Sequence, residues 1–161
     1  MSPVRGAADR IIDTSNWTVH DVRIEVQREF ALGEHEGDHL IVSLVSFGFK
    51  HGIPSGTDLL FDVRFLPNPY FLPELREQTG IDAGVQDFLE DQEDFGELLR
   101  RLEGLLLFLL PRYQQEHRRY VSVAIGCTGG RHRSVATVER ISTHLESEGW
   151  SVRVRHRDLK R

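Results

Sequence analysis

The stretch from Tyr120 to Leu145 constrains the chain most. Six residues, Tyr120 to Ile125, all apolar or aromatic but Ser122, run directly into Gly126-Cys127-Thr128-Gly129-Gly130-Arg131-His132-Arg133-Ser134. After that loop, Val135, Val138, Ile141 and Leu145 recur at helical spacing until Gly149. A buried strand, a glycine-rich turn and a helix in that order form half of a crossover unit, which joins parallel strands. Further strands are expected over 40–45, 59–65 and 151–155. Helices are expected over 85–90 and along the Phe95, Leu98, Leu99, Leu102, Leu105, Leu106, Leu109 stripe, which Pro111 should end or kink. Residues 47–54 and 70–84 read as loops. The expected fold is a single α/β domain, a mostly parallel sheet flanked by helices.

Upstream, residues 10–15 read as a short strand. Thr18 caps a helix whose Val19, Val22, Val26 and Phe30 share a face. Residues 33–38 are polar and glycine-flanked, a linker. The expected division is 1–37 for this strand, helix and linker, and 38–161 for the main domain.

The 161 residues suit one ordinary domain. With 39% hydrophobic residues a core is expected rather than disorder. A lone cysteine excludes an internal disulfide framework and a cysteine-built zinc site, and no metal site is expected. The longest apolar run, Leu105 to Leu110, is far short of the ~20 residues that span a bilayer. The first residues lack the apolar core of a signal peptide, so a cytoplasmic location is expected.

Charge is unevenly spread. Net charge is −5, yet residues 74–104 balance at −7 and residues 112–161 at +6. Eighteen of the twenty basic residues are Arg, the side chain suited to gripping phosphate in a fixed geometry.

The 126–134 loop holds the parts of a phosphate site. Unpaired N–H groups at a helix start favour an anion. Thr128, Gly129 and Gly130 let the backbone approach it closely. Arg131 and Arg133 bring charge, and Thr128 and Ser134 bring hydroxyls. Cys127 and Arg133 also have the C-x5-R spacing of cysteine-dependent phosphatases, in which a thiolate attacks phosphorus. Gly126 stands where those enzymes usually carry His, and no general-acid Asp is evident on a nearby loop. Catalysis by Cys127 and Arg133 on a small phosphoester is therefore the alternative, and a non-catalytic role the main expectation. Arg133→Ala is expected to abolish ligand binding with little loss of fold.

Two other segments join this loop. Asp62 and Arg64 alternate along one strand and share a face, where a carboxylate can accept sugar hydroxyls or an ammonium. His51 and Lys50 follow the first strand on the same rim. At the carboxyl end, Arg153, Arg155 and Arg157 alternate and, with Lys50, Lys160 and Arg161, make a candidate track for an RNA backbone.

Three motifs in order carry a resemblance. Ser46-Phe47-Gly48-Phe49-Lys50-His51-Gly52, Phe61-Asp62-Val63-Arg64-Phe65-Leu66-Pro67-Asn68-Pro69 and the run from Ala124 to Ser134, closed by Arg155-His156-Arg157-Asp158-Leu159, resemble the C-terminal domain of the RapZ family of RNase adapters. Residues 10–32 resemble the end of that family's N-terminal nucleotide-binding domain. No G-x-x-x-x-G-K-[ST] loop is present, so neither nucleotide binding nor any cofactor is carried over. The resemblance implies a domain that senses glucosamine-6-phosphate, binds a small regulatory RNA and presents it to an endoribonuclease. Its implied sugar-phosphate pocket uses Asp62, Arg64, Cys127, Thr128, Gly129, Gly130, His132 and Arg133, with His51 nearby. The best-known members carry His where this chain has Tyr70. A homo-oligomer is the expected assembly.

Overall fold

The structure, a computed structural model, describes residues 40–160 together with Thr14 and Val22. The expected 10–32 strand and helix and the linker lie outside the described residues, apart from those two positions. The fold below belongs to the unit Gly37–Arg161.

Four strands form one sheet in the order β2-β3-β1-β4, every pair parallel. They are β1 (Ile41–Gly48), β2 (Leu59–Asp62), β3 (Tyr120–Cys127) and β4 (Ser151–His156). The central pair, β1 and β3, is buried at nearly every position, which is why both read as continuous apolar runs. β2 and β4 are the edges; β2 alternates half-buried and exposed residues, and β4 is exposed over Arg153, Val154 and Arg155. Three helices are described: α1 (Ala83–Glu90), α2 (Glu93–Gln115) and α3 (Arg133–Ser147). Their apolar residues join Val42, Leu44, Val121, Val123 and Ile125 in one core cluster. Among the described residues no helix is long and apolar enough to cross a membrane.

Three boundaries differ from expectation, each for a local reason. β1 extends to Gly48 rather than Val45, because Phe47 is fully buried and registers with Gly126. β2 stops at Asp62 rather than Phe65, because the Arg64 N–H turns back to Asp62 Oδ1 at 2.9 Å. α2 runs through Pro111 to Gln115, although that ring lacks an N–H. Leu110 is fully buried and Tyr113 packs against the core, so tertiary contacts hold the last turn in place.

A parallel sheet sends all its strand ends to one edge. Here that edge gathers a short 3-10 turn after β1 (Phe49–His51), the turn after β2, the loop after β3, and Arg157 and Asp158 after β4. Ligands of α/β sheets bind at such an edge.

Candidate functional site

The β3–α3 loop is set by backbone-on-backbone packing against the end of β1. Gly130 has φ +77, and a Cβ there would lie 2.5 Å from the Gly48 nitrogen. A Cβ at Gly48 would in turn lie 2.5 Å from the Gly129 carbonyl carbon. Lys50 N donates to Thr128 O at 3.3 Å. The Gly130 N–H points inward to Cys127 Sγ at 3.2 Å. Among the described residues, the N–H groups of Thr128, Gly129, Arg131 and His132 donate no hydrogen bond. They stand with the unpaired first-turn amides of α3, a concave donor set suited to an oxyanion.

Arg133 opens α3 and is only 5% exposed. Its Nη1 donates to Arg64 O at 2.7 Å and Leu66 O at 3.0 Å, and its Nη2 to Thr128 Oγ1 at 3.2 Å. Burial lowers its pKa, while the nearby Cys127 and Asp62 work the other way. No carboxylate pairs with it among the described ion pairs, although Asp62 lies close enough to favour its charge. This corrects the expectation that Arg133→Ala spares the fold. Arg133 is a buried tie between the β2 turn and α3.

Cys127 is 3% exposed, and its Sγ lies 3.2 Å from Ser134 Oγ. Ser134 is fully buried, so its hydroxyl serves the thiol rather than the loop mouth. Thr128 is the exposed hydroxyl of the loop.

Asp62 and Arg64 form a tight pair on the neighbouring turn, with Arg64 Nη2 2.6 Å from Asp62 Oδ2. That contact is the largest reason the Asp62 pKa is lowered; partial burial opposes it. Tyr70 is half exposed in a 3-10 turn begun by Asn68, with the Arg76 guanidinium 5.1 Å from its ring centre. Arg131 and His132 turn away from the mouth. Arg131 donates through Nη2 to Glu77 O and pairs with the Glu77 carboxylate at 3.6 Å. The buried His132 imidazole faces the backbone of Leu75, Arg76 and Gln78. Burial first, then Arg131, lowers its pKa and keeps the ring neutral at pH 7.

Lys50, placed by its sequence both on the loop rim and with the RNA track, lies over the loop. Its Cε and Nζ are each 3.9 Å from the Cβ position of Gly129. Arg153 and Arg155 are exposed on edge strand β4, in register with Ser43 and Val45. Arg157 leaves that track. It donates to Gly52 O at 2.7 Å and pairs with Asp158 at 2.7 Å. Lys160 is exposed, and Arg161 lies outside the described residues.

Asp158 is the residue the sequence reading overlooks. Its carboxylate is buried and accepts the Gly48 N–H at 2.8 Å, locking the glycine that abuts Gly130. Burial pushes this carboxyl up, but Arg157, the Gly48 N–H and His51 together outweigh it, and its pKa lies below the ordinary carboxylate value. A depressed folded pKa contributes stability that is complete above the unfolded value and lost as pH falls through the folded one. Urea midpoints measured from about pH 5 down to about pH 2 should therefore fall less steeply in Asp158→Asn than in the parent. Parallel profiles would show that the clamp does not titrate. The only sequence signal for Asp158 is its place just after the last parallel strand, beside Arg157.

The family model described as the RapZ C-terminal domain matches residues 40–160. A protein of Anaeromyxobacter sp. (strain K) named nucleotide-binding protein is 50% identical over 161 residues, 100% of this chain and 54% of its own length. Similarly named proteins of Corynebacterium jeikeium and Cellvibrio japonicus are 47% and 46% identical over 100% and 99% of this chain, and 55% and 53% of their own lengths. The chain spans about half the length of these relatives, and their name describes the longer proteins. With the family model covering the whole described fold, the chain belongs to the RapZ family through its C-terminal domain.

Proposed function

We propose that this chain is a non-catalytic regulatory domain that binds an amino-sugar phosphate such as glucosamine-6-phosphate at the β3–α3 loop. The observation that carries this reading is the pairing of unused loop amides with two cations, Arg133 and Lys50, that have no carboxylate partner there. Two positive charges beside oriented N–H groups suit a phosphomonoester, which carries about −1.5 to −2 near neutral pH. Calorimetric titration with glucosamine-6-phosphate, beside glucose-6-phosphate, glucosamine and inorganic phosphate, tests it. Micromolar binding of the amino-sugar phosphate alone supports a sensor. Equal binding of every phosphorylated compound leaves only a generic anion loop.

The same domain is proposed to bind small RNA and to act as an adapter to an endoribonuclease. Support comes from Arg153, Arg155 and Lys160, exposed and clear of the Arg157 clamp. Arg153→Ala and Arg155→Ala should each weaken RNA binding across sequences and reduce the slope of log affinity against log salt by about 1. Unchanged slopes in both would remove this surface. Arg157→Ala is a poor probe of RNA contact, because it also breaks the Asp158 clamp.

A cysteine phosphatase is the second reading, favoured by the Gly130 N–H and Ser134 hydroxyl around Cys127 Sγ. Two features rank it lower. The thiol is 3% exposed, and the nearby Asp62 has a lowered pKa and is held ionised, unsuited to protonating a leaving group. Turnover of p-nitrophenyl phosphate that disappears in Cys127→Ser would reverse the ranking.

A further inference from the structure

Helix α2 has two faces, and the core uses one of them. Phe95, Leu102, Leu106 and Leu110 are buried in the sheet-and-helix core. The opposite face carries Glu97, Arg101, Gly104, Leu105, Phe108 and Arg112, whose spacing aligns them in one stripe along the helix. Phe108 is 55% exposed and Leu105 40%, two large apolar side chains left in water.

Gly104 sits at the middle of that stripe. A mid-helix glycine weakens a helix relative to alanine. A Cβ there would meet nothing within 4 Å, so among the described residues no packing contact asks for a glycine. The missing side chain leaves room for close approach from outside. The charges of the stripe pair within the helix. Glu97 accepts from Arg101 Nε at 2.6 Å and also pairs with Arg100, and the Arg112 guanidinium carbon lies 3.6 Å from the Phe108 ring centre. Such exposed pairs are worth little, so they exchange readily for an outside partner.

The order of these residues is self-complementary. A two-fold axis crossing the helix between Gly104 and Leu105 lays a second α2 antiparallel to the first. It sets Glu97 opposite Arg112, Arg101 opposite Phe108 and Gly104 opposite Leu105, each pair occurring twice. Opposite charges meet at the ends of the stripe, a guanidinium meets an aromatic ring further in, and leucine enters the space over glycine. A parallel arrangement in register would set Glu97 on Glu97 and Arg112 on Arg112, which repel.

We propose that the outer face of α2 is a docking surface for a second copy of this chain, paired antiparallel about Gly104 and Leu105. It uses none of the residues assigned above to the sugar phosphate or to RNA, and it does not depend on that reading. One helix pair covers less than the roughly 800 Å² per partner of a standard interface, so a weak dimer is expected, with Kd of about 10–100 µM.

Sedimentation velocity of the full chain across that range tests it, with circular dichroism melting curves on the same samples. The parent should show a reversible monomer–dimer equilibrium. Glu97→Arg and Arg112→Glu should each weaken the dimer at least about tenfold through like charges facing across the axis. The double variant restores opposite charges there and should recover most of the loss. Phe108→Ala should also weaken the dimer about tenfold, with the melting temperature barely moved because the ring is mostly exposed. Leu105→Cys, beside the axis, should form an intermolecular disulfide when treated with diamide. The native Cys127 is 3% exposed and offers no competing thiol. Glu148→Cys, exposed at the end of α3, is the control and should cross-link far more slowly.

A chain that stays monomeric throughout the range would overturn the proposal. So would a dimer that neither charge reversal weakens, a double variant as weak as the singles, or equal cross-linking of Leu105→Cys and Glu148→Cys.

Discussion

Arg133→Ala is expected to lower affinity for phosphorylated ligands about 100-fold, a loss of about 2.7 kcal/mol. The same change should destabilise the fold by roughly 2–3 kcal/mol, because it strips the donor from the carbonyls of Arg64 and Leu66. Both effects come from one guanidinium that is 5% exposed and bonded on two sides. Arg133→Lys keeps the charge but cannot span both carbonyls and Thr128, so affinity should recover further than stability. Calorimetry with glucosamine-6-phosphate and urea denaturation on the same samples separate the two. Undiminished affinity in Arg133→Ala would place the anion site elsewhere. Full stability would mean that water replaces the lost donors.

Gly130→Ala is expected to be the more damaging change to the fold, costing at least about 4 kcal/mol. Its φ of +77 is unfavourable for any side chain, and the new Cβ would meet the Gly48 nitrogen at 2.5 Å and the Phe47 carbonyl carbon at 2.8 Å. Those contacts are backbone in the central strand, so no rotamer change relieves them. Gly129→Ala is the control. Its nearest neighbours are the flexible end of Lys50 at 3.9 Å, so the protein should fold normally. The added methyl reaches only ordinary contact with the Lys50 ammonium but takes space at the loop mouth, and phosphate affinity should fall severalfold. Circular dichroism melting curves decide the point: equal melting temperatures for the two variants would show that the Gly48–Gly130 contact yields easily.

Local pattern carried much of this fold. The apolar runs of β1 and β3 announce buried parallel strands because interior strands have no polar face to show. Val135, Val138, Ile141 and Leu145 announce α3 because only that spacing lines up one helical face. Pro111 misleads, since a local rule stops the helix there while Leu110 and Tyr113 keep packing. Phe47 misleads similarly: with Gly48 beside it, the residue reads as loop, yet it is fully buried in the sheet.

The candidate site divides along the same line. Residue type and spacing mark the 126–134 loop, because glycine, hydroxyl and arginine between a strand and a helix have a chemical meaning without neighbours. The directions of the side chains have none until the chain is folded. Arg131 and Arg133 both bring charge to the loop in sequence, and only Arg133 falls at the C-x5-R spacing. One is drawn out to Glu77, and the other is buried beneath the loop mouth. Lys50 reads both as a rim residue and as part of a basic track, and it lies over Gly129. Asp62 reads as a rim carboxylate facing a ligand, and the fold pairs it with Arg64.

By itself, then, the sequence determined the α/β class, the parallel sheet and the loop where chemistry is concentrated, since hydrophobic period and glycine placement act over a few residues. Only the tertiary structure decided which cations face that loop and which acid braces it. Those choices depend on contacts such as Asp158 to Gly48 and Arg133 to Leu66, made between residues 110 and 67 positions apart. Separations of that length leave no period in the chain for a local reading to detect.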